Sequence, residues 1–549
     1  MVQFTERSHE PAMPMKWWGW GEEGETFPLP DPEGFWAYVR QRLGETGGSP
    51  RIDSLEAVDV RPSRLEGRDV EALRRAAGEG ALTTDPAARA VYSFGKGYCD
   101  MVRLRRGEVP NPTDVVVWPE TEEQVAAILD LAAERGIAVI PFGGGTSVVG
   151  GLEPVPGRPC ITLHLGRLSR ILAVDPIAST VTAESGILGP ALEQQLNARG
   201  FTLGHFPQSF QYSSLGGWIA TRSAGQKSTL YGKIEKRLHS LRLVYPGGDL
   251  STPEVPAAAA GPDLNQAVAG SEGVLGVITR ATMRLAPLPE HRDFRGYLFQ
   301  SFHEGIEACR QLLRCELRPA VLRLSDEPET GTTIAMRAPP SGEASSEPVR
   351  AALLILGFEG IEREVNWGWE EAEAVLSRHG GQSLGRGPGE AWDRSRYDAP
   401  YLRDLLLDHG IMADTLETAT TWGHYLDLYR AVRDAMAAAL GERGQVMAHL
   451  SHSYSDGGSI YYTFLAPQER GNELGQWQRV KSAATQAIVE HGGALSHHHG
   501  IGSAHRPWMA AYLGAGGVRA LAALKQAFDP RGIMNPGKLL VTPEEAKLD

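Results

Sequence analysis

Between residues 141 and 151 the chain reads PFGGGTSVVGG, five glycines directly after the apolar run IAVI, and this loop limits the fold more than any other stretch. Glycine opens backbone conformations closed to other residues, so successive N–H groups can converge on an anion while Thr146 and Ser147 add hydroxyl donors. A diphosphate is the guest such a cradle suits. A Rossmann turn is excluded, because its G-x-G-x-x-G must open a helix and the prolines of the following LEPVPGRP forbid one. No G-K-[ST] follows, which excludes a Walker A loop. A glycine turn with no ligand is the competing reading.

The chain around the loop is long and acidic. Its 549 residues exceed what one core supports, and a net charge of −13 lacks the Lys/Arg excess that phosphate neutralisation requires, so nucleic acid is set aside as a partner. The four cysteines, Cys99, Cys160, Cys309 and Cys315, form no C-x-x-C pair, which fits a reducing cytoplasm. No apolar run reaches the roughly 18 residues of a spanning helix, and the first residues hold no signal-peptide core. Localisation is therefore expected to be cytoplasmic, with peripheral membrane contact and a homodimer both left open.

Composition and periodicity divide the chain into four segments. Residues 1–105, with Trp17, Trp18, Trp20 and Trp36, read as a helical packing extension. In residues 106–289, T121-E-E-Q124 has the form of a capping box, and Val125, Ile128, Leu129 and Ala132 make a helical apolar stripe. Strands IAVIPF, ITLHL, RILAVD and STVTAESG surround it, and ILGPALEQQLNARG reads as a helix ending at its glycine. Residues 290–450 alternate strand and helix patterns around a polar insert, RAPPSGEASSEP, expected to be a mobile loop. Residues 451–549 carry a histidine triplet and a terminal helix running into DPRGIMNPGKLL.

Two further stretches share the small-residue texture of the glycine loop: QSFQYSSLGGWIATRSAG, residues 208–225, and GSEGVLGVIT, residues 270–279. In that order, with the terminal DPRGIMNPGKLL, the chain resembles the vanillyl-alcohol oxidase or PCMH superfamily of flavoproteins. The resemblance implies an α+β fold, with a two-subdomain PCMH-type FAD-binding domain over 106–289, an α+β cap over 290–450 for substrate, and a last segment returning to the FAD domain. It places FAD against Pro141, Phe142, Gly143, Gly144, Gly145, Thr146 and Ser147; against Gln208, Ser209, Phe210, Gln211, Tyr212, Ser213 and Ser214; against Thr221, Arg222, Ser223 and Ala224; and against Glu272, Gly273, Val274, Leu275, Gly276, Val277 and Ile278. Relatives that tether the flavin do so through a histidine in the glycine loop, and this loop has none, so the FAD is expected to be non-covalent.

MKWWGWG, RSAGQKSTLYGKIE, VLRLSDE, YLRDLLLDHGIMADTLETATTW, SHSYSDGGSIYYTF and GGALSHHHGIGSAHRPWM narrow the resemblance to the alkyldihydroxyacetonephosphate synthase family. The activity implied is a redox-neutral exchange, through an adduct at flavin N5, of the acyl chain of acyl-dihydroxyacetone phosphate for a long-chain fatty alcohol. Tyr461 matches the family's catalytic tyrosine, and His497, His498 and His499 its active-site histidines. Arg403 matches a substrate-binding arginine and Arg323 another arginine needed for activity, while His452 and Tyr454 are supporting candidates. A phenol near pKa 10 needs nearby cations to serve as a base, a part the histidine cluster is expected to play.

Read as a strand, the triplet sends His497 and His499 one way and His498 the other. It lacks helical i, i+4 spacing and a carboxylate, so no metal site is expected. Glu417 is left as a helix-surface carboxylate. The same parts suit an FAD-linked dehydrogenase of a 2-hydroxy acid or related alcohol, the alternative activity. A flavin- or lipid-binding protein without turnover is the third reading.

Overall fold

In the computed structural model, which describes residues 2–3, 15–337, 350–541 and 545, the chain is α+β as expected. One sheet has four strands: Val115–Val117, Cys160–His164 and Ala138–Phe142 run parallel, and Leu82–Thr83 pairs antiparallel at the edge. Parallel strands need crossover connections, and the helix Glu122–Arg135 supplies the one from Val115–Val117 to Ala138–Phe142, on either side of Cys160–His164. Thr121 Oγ1 accepts from the Gln124 N–H at 3.2 Å, while Gln124 Oε1 reaches back to the Glu120 N–H, one residue beyond a strict capping box. Gly136 closes the helix in the left-handed conformation, and Val125, Ile128, Leu129 and Ala132 are all buried against the sheet.

The glycine loop leaves the end of Ala138–Phe142, and the prolines after it keep residues 152–159 out of regular structure. The next strands form an antiparallel sheet in the order Val2–Gln3, Ile171–Asp175, Thr180–Glu184, Val277–Arg284, Leu238–Tyr245, Gly248–Ser251. The helices Gly189–Asn197 and Leu215–Thr221 pack on it in a second core.

A seven-stranded antiparallel sheet follows, ordered Gln382–Gly385, His291–Phe299, Ala352–Gly360, Val321–Ser325, Gln445–Ser453, Gly457–Pro467, Ile411–Thr421. Alternation along its strands divides the side chains into two populations. Leu322, Leu324, Leu416, Ala448, Leu450, Ile460 and Tyr462 sink into the largest core, with the helices Phe302–Arg314, Glu362–Arg378, Tyr425–Leu440 and Glu473–Glu490. Their neighbours Arg323, Thr415, His449 and Tyr461 face a cavity on the other side.

Residues 15–105 do more than pack. The helix Pro32–Leu43 lays Phe35, Val39 and Leu43 against Leu406, Met447 and Leu465 at the cavity wall. At the other end of the chain, the helix Met509–Phe528 kinks at Gly514, and the chain then returns to the four-stranded sheet, where Val139 N–H donates to Ile533 O and Asn535 N–H to Val139 O, both at 2.8 Å. All four cysteines are unpaired. The polar insert expected to be mobile lies, from residue 338, outside the described residues. No helix among the described residues is long and apolar enough to cross a membrane.

Replacing Thr121 by Ala removes the cap of the crossover helix and is expected to lower unfolding free energy by about 0.5–2 kcal/mol. Chemical denaturation checks this, and an unchanged midpoint would show that the cap does not anchor the sheet.

Candidate active site

The glycine loop, the cavity face of the seven-stranded sheet and the helix Pro32–Leu43 enclose one cavity of about 1150 Å³. That exceeds the roughly 300–1,000 Å³ of a pocket for one drug-sized ligand. From the residues expected to hold FAD, its wall takes residues 141–147, Gln208, Ser209, Ser213, Ser214, Thr221, Ser223, Ala224, Glu272, Gly273, Gly276 and Ile278.

Seven of the expected residues do not line it. Phe210 stacks on Trp218 and Tyr397 inside the second core, which also takes Val274 and Leu275, while Val277 is buried with the four-stranded sheet. Arg222 ends its helix in the left-handed conformation and donates away from the cavity, to Ala269 O and Gln266 O. Gln211 and Tyr212 back the glycine loop: a Cβ added at Gly144 would meet the Tyr212 carbonyl oxygen at 1.7 Å. These side chains shape the cradle from behind.

The cradle fits a dinucleotide. Among the described residues the N–H groups of residues 144–147 meet no protein acceptor, and buried Gln226 Oε1 and Asn535 Oδ1, on residues of the same wall, have no partner. Buried polar groups are almost always paired, so such a wall calls for a guest carrying both acceptors and donors, as a diphosphate and a flavin ring do.

The histidine triplet is not a strand. The helix Glu473–Glu490 ends, the chain turns, and Ala494 N–H donates to Ala419 O, bringing a bent loop alongside the strand Ile411–Thr421. There the N–H groups of His497, His498 and His499 all converge on the Glu417 carboxylate at 2.5–3.2 Å, joined by the Ser496 hydroxyl at 2.7 Å. Glu417 is therefore a buried strand residue and the organising group of the loop. Burial alone would raise its pKa; the surrounding imidazoles and the Ser496 bond outweigh that and hold it well below the usual carboxylate range.

Alternation of the three rings is replaced by another division. His498 and His499 reach the cavity wall, whereas His497 turns to Tyr454, whose hydroxyl meets its Nε2 at 2.6 Å, and stacks on His452. Burial lowers the pKa of all three, so the rings are neutral at neutral pH. They cannot supply the positive charge expected to favour a Tyr461 phenolate. Burial pushes Tyr461 up to about 12, and its hydroxyl donates to Thr415 Oγ1 at 3.0 Å. The resting phenol carries its proton.

Beside it, His449 stacks on the Tyr461 ring with centroids 4.9 Å apart. Glu329 accepts from Arg323 Nη2 at 2.9 Å and meets His449 Nδ1 at the same distance, which, against burial, brings Glu329 down to about 2. Arg323 is thus fixed in the cavity wall as a cation. Arg403 occupies another part of the wall: Nη1 donates to Lys96 O, while Nε and Nη2 are buried without a hydrogen-bond partner. Neighbouring Asp404 is buried rather than at the surface, accepting from the Trp20 N–H and lying 3.7 Å from Lys16 Nζ. The MKWWGWG stretch is thereby tied to the helix that carries Arg403.

Sequence reasoning did not assign Trp20, Thr415, Glu329, His449 or Asn535 to the site. Thr415 and His449 lie on the strands that flank Tyr461 and Glu329 lies in the helix Glu327–Arg337, so only the strand pairing, which the sequence does not show, brings them to the site; Trp20 and Asn535 likewise had no local signal.

Two family models match the chain: "FAD binding domain" over residues 113–252, and "FAD linked oxidases, C-terminal domain" over residues 288–539. An alkyldihydroxyacetonephosphate synthase from Trypanosoma brucei brucei is 36% identical over 522 residues, covering 91% of this chain and 85% of that protein. The chain belongs to the alkyldihydroxyacetonephosphate synthase family. A Dictyostelium discoideum member is 33% identical and covers 97% of this chain and 94% of its own length. A solved structure of an alkyldihydroxyacetonephosphate synthase superposes with a TM-score of 0.83 at 30% identity, over 96% of this chain and 100% of the other. In this member the FAD-binding half and the histidine loop meet across one cavity.

Burial takes His205, His497 and His505 each down to about 3, against roughly 6.5 in an unfolded chain. Between those limits the unfolded chain binds more protons, so the stability these neutral rings allow is complete above about pH 6.5 and is lost as pH falls toward 3. The thermal midpoint is expected to fall steadily from pH 7 to 5, and less steeply in His205→Gln. A midpoint flat across that window would contradict the neutral, buried assignment.

Proposed function

We propose that this chain exchanges the acyl chain of acyl-dihydroxyacetone phosphate for a long-chain fatty alcohol, releasing a fatty acid and forming an ether-linked product. The observation that carries the reading is the continuity of a polar wall and an apolar channel in one cavity. Arg323, Tyr461, His498 and His499 share it with Phe35, Val39, Leu43, Met336, Leu402, Leu406 and Leu465, which pack as a single apolar cluster with their neighbours. A charged head group with a long chain matches both ends.

In the exchange the C1–O bond to the acyl group breaks, the carboxylate leaves with the electron pair, and the alcohol oxygen forms the new C1–O bond as it sheds its proton. The oxidation level at C1 does not change. Bound FAD supplies the ring chemistry that activates C1 for this substitution, held without a covalent tether by residues 141–147 and their partners. Arg403, whose Nε and Nη2 make no hydrogen bond to protein while Nη2 lies 3.9 Å from Asp404 Oδ1, offers its fork to the phosphate. Tyr461 keeps its proton and steadies the departing carboxylate by donating a hydrogen bond to it, while His498 and His499, neutral at the same wall, relay the proton shed by the alcohol to that carboxylate. Arg323, locked by Glu329, holds positive charge beside them without moving.

Anaerobic incubation of the FAD-loaded protein with acyl-dihydroxyacetone phosphate and labelled fatty alcohol should place the label in an ether. Flavin bleaching by a 2-hydroxy acid, with no ether formed, would instead establish the dehydrogenase. Tyr461→Phe is expected to retain FAD while losing about 10²–10³-fold in kcat, the range for removing one preorganised hydrogen-bond donor. Full turnover in that variant would reject its role.

A further inference from the structure

His452 lies on the strand Gln445–Ser453, far in sequence from the histidine loop, yet its ring is 5.2 Å from that of His497 and 5.0 Å from that of His498. One ring nitrogen from each of the three lies within 4.8 Å of the others. We propose that His452, His497 and His498 form a binding site for a divalent cation of the zinc class, and that its occupation blocks the cavity.

Hydrogen bonds select the nitrogens that face the ion. His452 Nδ1 is engaged by Ser228 Oγ at 2.7 Å and His497 Nε2 by Tyr454 OH at 2.6 Å, which leaves His452 Nε2 and His497 Nδ1 as ligands. Such outer partners fix ring orientation and tautomer in metal-binding histidines. His497 Nδ1 already sits 3.0 Å from His498 Nδ1. Two ligands at 2.0–2.1 Å on a tetrahedral zinc are about 3.3 Å apart, so this pair is close to chelating separation. Since the three nitrogens lie within 4.8 Å of one another, drawing in the third takes at most about 1.5 Å of side-chain rotation, within reach of rings carried on two χ angles.

Access and ligand chemistry favour the ion. Glu417 lies 3.8 Å from His498 Nδ1 and offsets part of the incoming charge, while Lys233, whose ammonium donates to the His497 carbonyl, opposes it. His452 and His498 line the cavity, which gives the ion its entry and an open fourth position for water or an anion. Three imidazoles suit zinc, copper or nickel and discriminate against magnesium and calcium, which prefer oxygen. Spacing along the chain gave no sign of this, because the third ligand comes from a different element.

The binding arm of the test does not depend on the proposed reaction. FAD-loaded protein titrated with zinc in a calorimeter should take up one ion per chain, with nitrogen-dominated coordination by X-ray absorption, while magnesium gives no heat. Tyr454→Phe, which keeps all three ligands, should weaken zinc binding about 10–100-fold. His452→Ala and His498→Ala should weaken it further, with retained flavin absorbance confirming their fold. Zinc affinity unchanged in all three variants, or equal uptake of magnesium, would overturn the site. Ether formation should fall in proportion to zinc occupancy and recover with a chelator; full activity at full occupancy would overturn the block.

Discussion

A single buried carboxylate organises the catalytic side of this fold. Glu417 takes four donors from the histidine loop, three of them backbone N–H groups, and it does so from the middle of a strand where Leu416 before it packs in the largest core and the Thr418 hydroxyl after it donates to Ala494 O. A charge in that position is costly unless every lone pair is used, and here the donors are charge-assisted and convergent. Among the described residues the N–H groups of His497, His498 and His499 meet no other acceptor. Bent around one acceptor, the loop cannot form the strand its composition suggests, and the imidazoles fall where the bend sends them.

The far end of the loop is held by a second carboxylate from the other half of the molecule. Glu272, in the FAD cradle, accepts from the Ile501 and Gly502 N–H groups at 2.6 and 2.7 Å, and its own carbonyl is gripped by Asn535. The histidine loop is therefore strung between the seven-stranded sheet and the glycine-rich wall. Cofactor and proton-handling groups keep their relative positions because one short segment is fastened to both. Glycines 500 and 502, both at positive φ, allow the tight passage between the two anchors.

Local pattern carried much of this. The crossover helix follows from Thr121, its apolar stripe and Gly136; the division between Tyr461 in the cavity and Tyr462 in the core follows from strand alternation alone. The glycine loop announced a diphosphate-type guest, and family resemblance supplied FAD and the synthase reading. What local pattern could not carry is contact between distant segments. Glu417 meets the loop from 80 positions away, His452 meets His497 from a separate strand, and Trp20 joins the Arg403 helix across 384 residues. Burial likewise has no signature in a triplet of histidines: the same letters on a surface would be readily protonated, and only packing makes them neutral. That reversed the electrostatic role expected of them toward Tyr461.

Everything at the site rests on the Glu417 clamp, and amide hydrogen exchange in the FAD-loaded protein tests it most directly. The N–H groups of His497, His498 and His499 should be strongly protected, and Glu417→Ala should release all three while Ile501 and Gly502, held by Glu272, stay slow. Rapid exchange of the three histidine amides in the unmodified protein, or protection that survives Glu417→Ala, would contradict the account.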